Sequence, residues 1–164
     1  MKGFLVKNQP WITLLARLLL GGVLLVAGGL KVTKPTESAN ATAAYKILPT
    51  DLAHLVGYAL PWIEVAIGLL LILGIMVRYS AIFSGINMIV FISAIASVWA
   101  RGHLIDCGCF GGGGEIDPSL KSQVHRAYFT EIMRDLGLAL TALYLYLFPY
   151  GKLSFEKAAQ PIEE

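Results

Sequence analysis

The sequence predicts an all-α integral membrane protein, a four-helix bundle whose extracytoplasmic loop between helices 3 and 4 carries both cysteines. Three observations lead to this fold class. The 164 residues are 56% hydrophobic and 15% charged, whereas about a quarter of the residues in an ordinary soluble domain are charged. The apolar residues gather into four stretches of membrane-spanning length. Each stretch is continuously apolar rather than alternating, which excludes a closed β-barrel.

The four apolar stretches are 19 to 22 residues long, the length that the hydrocarbon core requires of a helix. In a soluble bundle these helices would have almost no polar face to present to water. Residues 1–150 are therefore predicted to form one membrane domain, followed by a polar tail at 151–164. The predicted spans are 11–30, 55–76, 81–100 and 132–150.

The first stretch has some features of a cleaved signal peptide, because Lys2 and Lys7 precede an apolar run that ends in small residues. Arg17 interrupts this run, so a retained first span is predicted.

The distribution of basic residues predicts the orientation in the membrane. There are five in the 28 residues of the N-terminus, the turn 77–80 and the tail, against six in the 55 residues of the two long loops. This bias places both termini in the cytoplasm and the long loops outside a multi-pass protein of the cell membrane. The net charge of +2 with scattered basic residues indicates a lipid bilayer rather than nucleic acid as the partner.

The only two cysteines, Cys107 and Cys109, flank Gly108 in the loop after the third span. In an outward loop they lie where disulfides persist. A bridge across one glycine closes a very small ring, and strained, exposed disulfides tend to be the reducible ones. Cys107 and Cys109 are therefore predicted to be a catalytic redox pair. Because the chain has no further cysteine, a thiol cycle requires a membrane quinone or another protein.

Two other interpretations of the cysteine pair stay open. A static disulfide would brace the loop, although closing so small a ring removes little chain entropy. Together with His103 and His125, the two thiols would also form a ligand set that zinc or copper accepts.

Four ionisable residues lie within the predicted spans, where charges are costly. Arg17 and Glu64 lie at similar depths in the first two spans, which predicts an ion pair between them. Arg134 and Asp135 lie in the first turn of the fourth span, at the end that carries the cysteine loop. These charges either hold the bundle together or form part of the functional site, with Glu64 as a contact for a quinone or a proton path.

Small residues predict where the first two spans meet, because they let helices approach closely in a membrane. Each of these spans carries such residues at helical spacing around its charged residue. The two stripes are Arg17, Gly21, Leu24 and Gly28 on the first span and Pro61, Glu64 and Gly68 on the second.

Together these motifs resemble the DoxX-like superfamily. The element Cys107-Gly108-Cys109-Phe110-Gly111 is most similar to its methylamine-utilisation branch, the MauE family. The other shared features are the arginine and glycines of the first span, the Pro61-to-Gly68 stripe, and Arg134-Asp135. The resemblance covers about residues 11–150.

The resemblance implies a membrane protein associated with thiol–disulfide or quinone-linked redox chemistry, working beside thioredoxin-like or oxidoreductase partners. Members of the methylamine branch are associated with the maturation of disulfide-rich extracytoplasmic proteins. The expected function is exchange of disulfides or electrons between the cysteine pair and a thioredoxin-like partner or a membrane quinone. The alternative is a non-catalytic accessory subunit of a larger membrane complex, such as a respiratory one, with the cysteine pair structural or metal-binding. Many superfamily members have no assigned reaction, so the resemblance leaves open whether the chain is an enzyme.

Overall fold

The computed structural model describes residues 2–108 and 112–154, with side chains for all of these except residues 2–7, 115 and 118. Cys109, the second cysteine of the predicted pair, and most of the predicted tail lie outside the described residues. The described chain folds into five α-helices, a two-stranded hairpin and a short 3₁₀ helix at Pro118–Leu120. The elements are α1 (Lys2–Val32), α2 (Pro35–Ala44), α3 (Thr50–Leu73), α4 (Val77–Ala100), β1 (Ile105–Asp106), β2 (Gly114–Glu115) and α5 (Lys121–Leu147).

Three helices of the described chain have the length and apolar composition of membrane spans. They are Asn8–Val32 within α1, Thr50–Leu73 and Val77–Ala100. This confirms an all-α protein and the first three predicted apolar helices. The fourth predicted span falls on α5, which is 27 residues long but carries Glu131, Arg134 and Asp135. These charges lower the mean hydropathy of α5, so α5 is not among the three apolar helices.

The helix boundaries differ from the predicted spans where backbone geometry ends a helix. Gly74 adopts a left-handed conformation with φ of 72°. Its N–H bonds to Leu71 O at 3.2 Å and the N–H of Ile75 bonds to Leu70 O at 3.0 Å, which closes α3 three residues early. Helix α5, which contains most of the fourth predicted span, begins at residue 121 rather than 132. The loop 31–54 contains α2, an unpredicted helix with proline in its first turn.

Helices α1 and α3 approach each other closely through their glycines. A Cβ placed on Gly21 would lie 2.8 Å from the carbonyl oxygen of Gly68, and the reciprocal distance is also 2.8 Å. A Cβ on Gly28 would lie 2.7 Å from the Pro61 oxygen. The two predicted small-residue stripes do meet. Elsewhere, α4 packs along α5 and α2 lies on α3.

Two hydrophobic cores occupy opposite parts of the fold. The first is centred on Leu20, Leu71 and Leu145, where α1, α3, α4 and α5 converge. The second joins the end of α2 to the hairpin and to the start of α5. It contains Tyr45, Ile95, Val98, Ile105, Cys107, Val124 and Tyr128. Cys107 is therefore part of a packed core rather than of an open loop.

Candidate functional site

The hairpin sets the position of Cys107. Strands β1 and β2 pair antiparallel, with Asp106 opposite Gly114, and Cys107 follows β1 directly. The residue is 6% exposed. The hydroxyl of Tyr45 donates a 2.9 Å hydrogen bond to its carbonyl oxygen, and the N–H of Gly108 donates to Asp106 Oδ1 at 3.1 Å. The cysteine is thus held on both sides of the turn, against α2 and within its own hairpin.

Tyr128 ties the hairpin to α5. Its hydroxyl accepts a hydrogen bond from the Ile105 N–H at 2.8 Å and lies 3.0 and 3.1 Å from the carbonyl oxygens of Ile105 and His103, to one of which it donates. Burial raises the pKa of this phenol, so it stays a neutral donor. No sequence pattern selects Tyr45 or Tyr128, because an aromatic residue near an apolar helix normally serves packing or the membrane interface.

Glu131, one turn along α5 from Tyr128, shares a cavity with Cys107. Both side chains line the space between the hairpin and α5. Burial raises the pKa of the carboxyl; the Cys107 hydrogen bond and the charge of Arg134 oppose this, while the Asp106 and Asp135 charges add to it. The Oε2 atom is buried and has no hydrogen-bond partner among the described residues. A carboxyl group that lines the same cavity as the thiol is an addition to the predicted site.

Two cavities flank Cys107. The larger, of about 310 Å³, lies between α2, α3, α4 and Cys107, and most of its wall is apolar. The second, of about 240 Å³, lies between the hairpin and α5 and includes Glu131. The polar and ionisable lining residues of the larger cavity are Lys31, Ser38, Thr42, Tyr45, Asn87 and Cys107.

Lys31, which lines the larger cavity, forms a buried ion pair with Glu64. The Nζ atom lies 3.0 Å from Oε1 and 2.9 Å from Oε2, with side chains only 6% and 3% exposed. Nζ also lies 5.3 Å from the ring centroid of Phe91. The predicted pairing of Glu64 with Arg17 is therefore wrong. Lys31 follows the last residue of the first predicted span, so its charge is not among those expected inside the membrane.

Arg134 and Asp135 lie beside this pair. The Arg134 guanidinium binds Asp135 Oδ1 at 2.8 Å, while Oδ2 is buried without a hydrogen-bond partner among the described residues. Both residues line a cavity of about 20 Å³ together with Lys31 and Glu64. That volume is enough for one water molecule. Glu64, Arg134 and Asp135, which are three of the four predicted intramembrane charges, therefore lie together. Lys31 is the fourth charged residue of this cluster.

Arg17 lies at the opposite end of the helices. Its Nε donates to Leu71 O at 2.9 Å and one Nη donates to Ile72 O at 3.0 Å. These carbonyls end α3, where a positive charge complements the helix dipole. The guanidinium also reaches the backbone oxygens of Lys152 and Leu153. Arg17 therefore joins α3 to the segment after α5 and takes no part in the cysteine site.

The structure does not assemble a metal centre from the residues it describes. His103 is exposed, and the ring of His125 packs against Trp99 with centroids 5.9 Å apart. Among the side chains described in residues 2–108 and 112–154, no cluster of three or more histidines, cysteines, aspartates or glutamates is suited to a metal. The alternative ligand set also includes Cys109, which lies outside these ranges.

Comparison with known proteins identifies the family. The family "Methylamine utilisation protein MauE" matches residues 9–148. A methylamine utilization protein MauE of Methylophilus methylotrophus is 28% identical over 143 residues, which cover 87% of this chain and 71% of the relative. Its counterpart in Methylorubrum extorquens is 32% identical over 135 residues, covering 82% and 68%. No solved structure matches the chain. The chain is a membrane protein whose described residues include three long apolar helices, and it belongs to the MauE family.

Proposed function

We propose that the chain is a membrane redox protein of methylamine utilisation. In this proposal a membrane quinone oxidises the Cys107 and Cys109 thiols to a disulfide, which then passes to an extracytoplasmic thioredoxin-like protein. The observation that carries the proposal is the position of Cys107 on the wall of the 310 Å³ cavity between α2, α3 and α4.

The chemistry of this cavity suits a quinone. Small-molecule sites typically enclose about 300–1,000 Å³ and combine apolar walls with a few polar groups. Lys31 has three N–H donors, of which two serve the Glu64 oxygens, so the third can serve a quinone carbonyl. The cysteine lines the same space. A quinone ring between Lys31 and Cys107 would thus have both a hydrogen-bond donor and a reductant at hand.

The proposed cycle balances electrons and protons. Two thiols lose two electrons and two protons as the disulfide forms, and the quinone takes up both to become a quinol. A thiolate of the partner protein then attacks the disulfide and forms a mixed disulfide. A second partner thiolate resolves it, which restores both thiols here and leaves the partner oxidised.

The proposed topology has residues 132–150, mostly within α5, as the fourth span of one membrane domain of residues 1–150. The positions of the helix ends support this topology. Arg17 donates hydrogen bonds to the end of α3 and to the segment after α5 at one end of the helices. Helix α2 and the hairpin lie at the other end. The alternating course of α1, α3, α4 and α5 would then place both termini in the cytoplasm. The cysteine site would lie at the outer face of the cell membrane.

The proposal can be tested with the full-length chain in lipid nanodiscs. The protein is reduced, freed of reductant and mixed with a short-chain ubiquinone, and both quinol formation and remaining thiols are counted. We expect one quinol for each pair of thiols lost, with none from Cys107→Ser or Cys109→Ser. If the wild type reduces no quinone and exchanges no disulfide with a thioredoxin-like protein, the redox role is wrong. Stable stoichiometric partners, with function in cells unchanged by Cys107→Ser, would then favour the accessory subunit.

A further inference from the structure

We infer that Glu131 is a catalytic residue that accepts the proton of the Cys107 thiol when this sulfur attacks. The inference rests on the proposed function for its role in the cycle, although the proton transfer itself can be measured without a quinone or a protein partner. Nothing in the motif around the cysteines points to Glu131, because it lies 24 residues further along the chain.

The geometry brings this carboxyl to the thiol. Tyr128 and Glu131 are three residues apart on one face of α5. Tyr128 holds the backbone of Ile105, two residues before Cys107, at 2.8 Å. The same helix face therefore holds the hairpin and presents the Glu131 carboxyl to the cavity that Cys107 also lines. One oxygen of this carboxyl is buried and has no hydrogen-bond partner among the described residues. This cavity gives a reacting group access from the hairpin side.

The surroundings of Glu131 favour proton uptake. The groups that act on it are Cys107 and Asp106 from the hairpin, and Tyr128, Arg134 and Asp135 from α5. Burial and the two aspartates favour the protonated carboxyl, whereas Arg134 and the thiol hydrogen bond favour the carboxylate. Because burial has the largest effect, the pKa of Glu131 moves toward that of a thiol. A smaller gap between the two pKa values makes transfer from sulfur to oxygen less unfavourable.

The step moves one proton and one electron pair. The S–H bond of Cys107 breaks, its proton passes to a Glu131 carboxylate oxygen, and the sulfur pair forms a bond to the attacked atom. With iodoacetamide as the probe, that atom is the methylene carbon and iodide leaves. With a disulfide, the attacked atom is sulfur and a thiolate leaves.

A carboxylate can affect the reactivity of the thiol in two ways that have opposite signs. The sign of the change in reactivity therefore distinguishes proton acceptance from electrostatic repulsion of the thiolate. A nearby carboxylate disfavours the thiolate, so removing its charge should lower the thiol pKa and raise thiol reactivity. Removing a proton acceptor should instead lower reactivity. Asp106 serves as the matched control, since it is a neighbouring exposed carboxyl that bonds to the Gly108 N–H.

The test measures alkylation of Cys107 by iodoacetamide as a function of pH in the Cys109→Ser chain, where Cys107 is the only cysteine. We expect Glu131→Gln to slow alkylation near pH 7 by about 100-fold, the lower end of general-base effects. The deficit should shrink as the pH approaches the thiol pKa. Asp106→Asn should leave the rate unchanged or raise it, and Glu131→Asp should restore part of it.

The inference is overturned if Glu131→Gln alkylates as fast as its parent or faster at neutral pH. The infrared S–H stretch of Cys107 gives a second measurement that does not depend on reactivity. It should shift to higher frequency in Glu131→Gln, because an amide oxygen is a weaker acceptor than a carboxylate. An unshifted band would also overturn the inference. Neither result depends on quinone reduction, so the proposed function can fail while this proton transfer stands.

Discussion

Lys31 of α1 and Glu64 of α3 form the best-buried ion pair of the described structure, with Nζ 2.9 Å from Oε2. The pair lies at the boundary between the larger cavity and the water-sized cavity beside Asp135. One lysine thus joins two helices and also lines the site proposed for a quinone. A substitution at Lys31 would therefore change both the packing of α1 on α3 and the polarity of the larger cavity.

Breaking this pair should be more costly than replacing it. Lys31→Met or Glu64→Leu alone leaves one buried charge without its partner and should lower the free energy of unfolding by about 3–5 kcal/mol. The double variant should recover most of this loss, since apolar replacement of both partners is often neutral or stabilising. Thermal unfolding of all three in the same detergent measures the coupling.

The exposed pair Lys34–Glu37 provides the control, because its side chains are 59% and 49% exposed. Glu37→Gln should change the free energy of unfolding by less than about 1 kcal/mol. Additive losses from Lys31→Met and Glu64→Leu would show that the two charges do not depend on each other.

Adjacent glycines of α1 should respond differently to the same substitution. A Cβ on Gly21 would meet the Gly68 carbonyl oxygen at 2.8 Å, whereas one on Gly22 would meet nothing within 4 Å. Gly21→Ala should therefore destabilise the fold by about 1–3 kcal/mol through overpacking. Gly22→Ala should be neutral or add up to about 1 kcal/mol through helix propensity. Equal melting temperatures for the two variants would contradict the close contact between α1 and α3.

Filling the larger cavity should block quinone binding without affecting the thiols. Ala94 lines that cavity, whereas Ala96 lies exposed on the same helix. Ala94→Phe should weaken quinone binding and quinone reduction at least about tenfold, since a bulky ring takes up part of the ligand volume. Ala96→Phe should leave both unchanged. Quinone titration of the two variants checks this, and an equal loss in both would place the quinone elsewhere.

Stability should depend on pH in opposite directions at two acidic residues. Burial raises the pKa of Glu131, so the folded state binds this proton more tightly than the unfolded state. Its contribution to stability is therefore greatest at low pH and falls as the pH rises from the ordinary glutamate pKa through the raised value. Glu131→Gln should remove that fall in a series of melting curves across this pH window.

Asp117 provides the opposite case. The backbone and side chain of Ser119 hold the pKa of this exposed carboxyl below its usual value. The stability it contributes is present above the ordinary aspartate pKa and is lost as the pH falls through the lowered value. Asp117→Asn should thus weaken the fold only on the neutral side of that window. If the melting temperatures of Glu131→Gln and Asp117→Asn changed with pH in the same way, burial would not be the cause of the raised pKa of Glu131.

Sequence patterns predicted the features that depend on residues close together along the chain. The first three apolar helices, the meeting of the Gly21 and Gly68 stripes and the family resemblance all follow from spacing along one or two helices. The partner of Glu64 did not follow from such spacing. Depth counted from the ends of the predicted spans places Arg17 near Glu64. The structure instead sets Gly21 against Gly68 and Gly28 against Glu64, so that Lys31, about one turn beyond Gly28, reaches the carboxylate.

What the sequence determined by itself is the membrane character of the chain and the small-residue contact between α1 and α3, because both arise from local composition and helical period. Only the tertiary structure decided that α2 covers α3, that Lys31 neutralises Glu64, and that Tyr45, Tyr128 and Glu131 surround Cys107. The pairs Lys31–Glu64, Tyr45–Cys107, Tyr128–Ile105 and Glu131–Cys107 are each at least 23 positions apart, whereas α2 and α3 adjoin in the chain. The physical reason is that a buried polar group takes its partner from whichever element packs against it, and that depends on how the helices and the hairpin pack together.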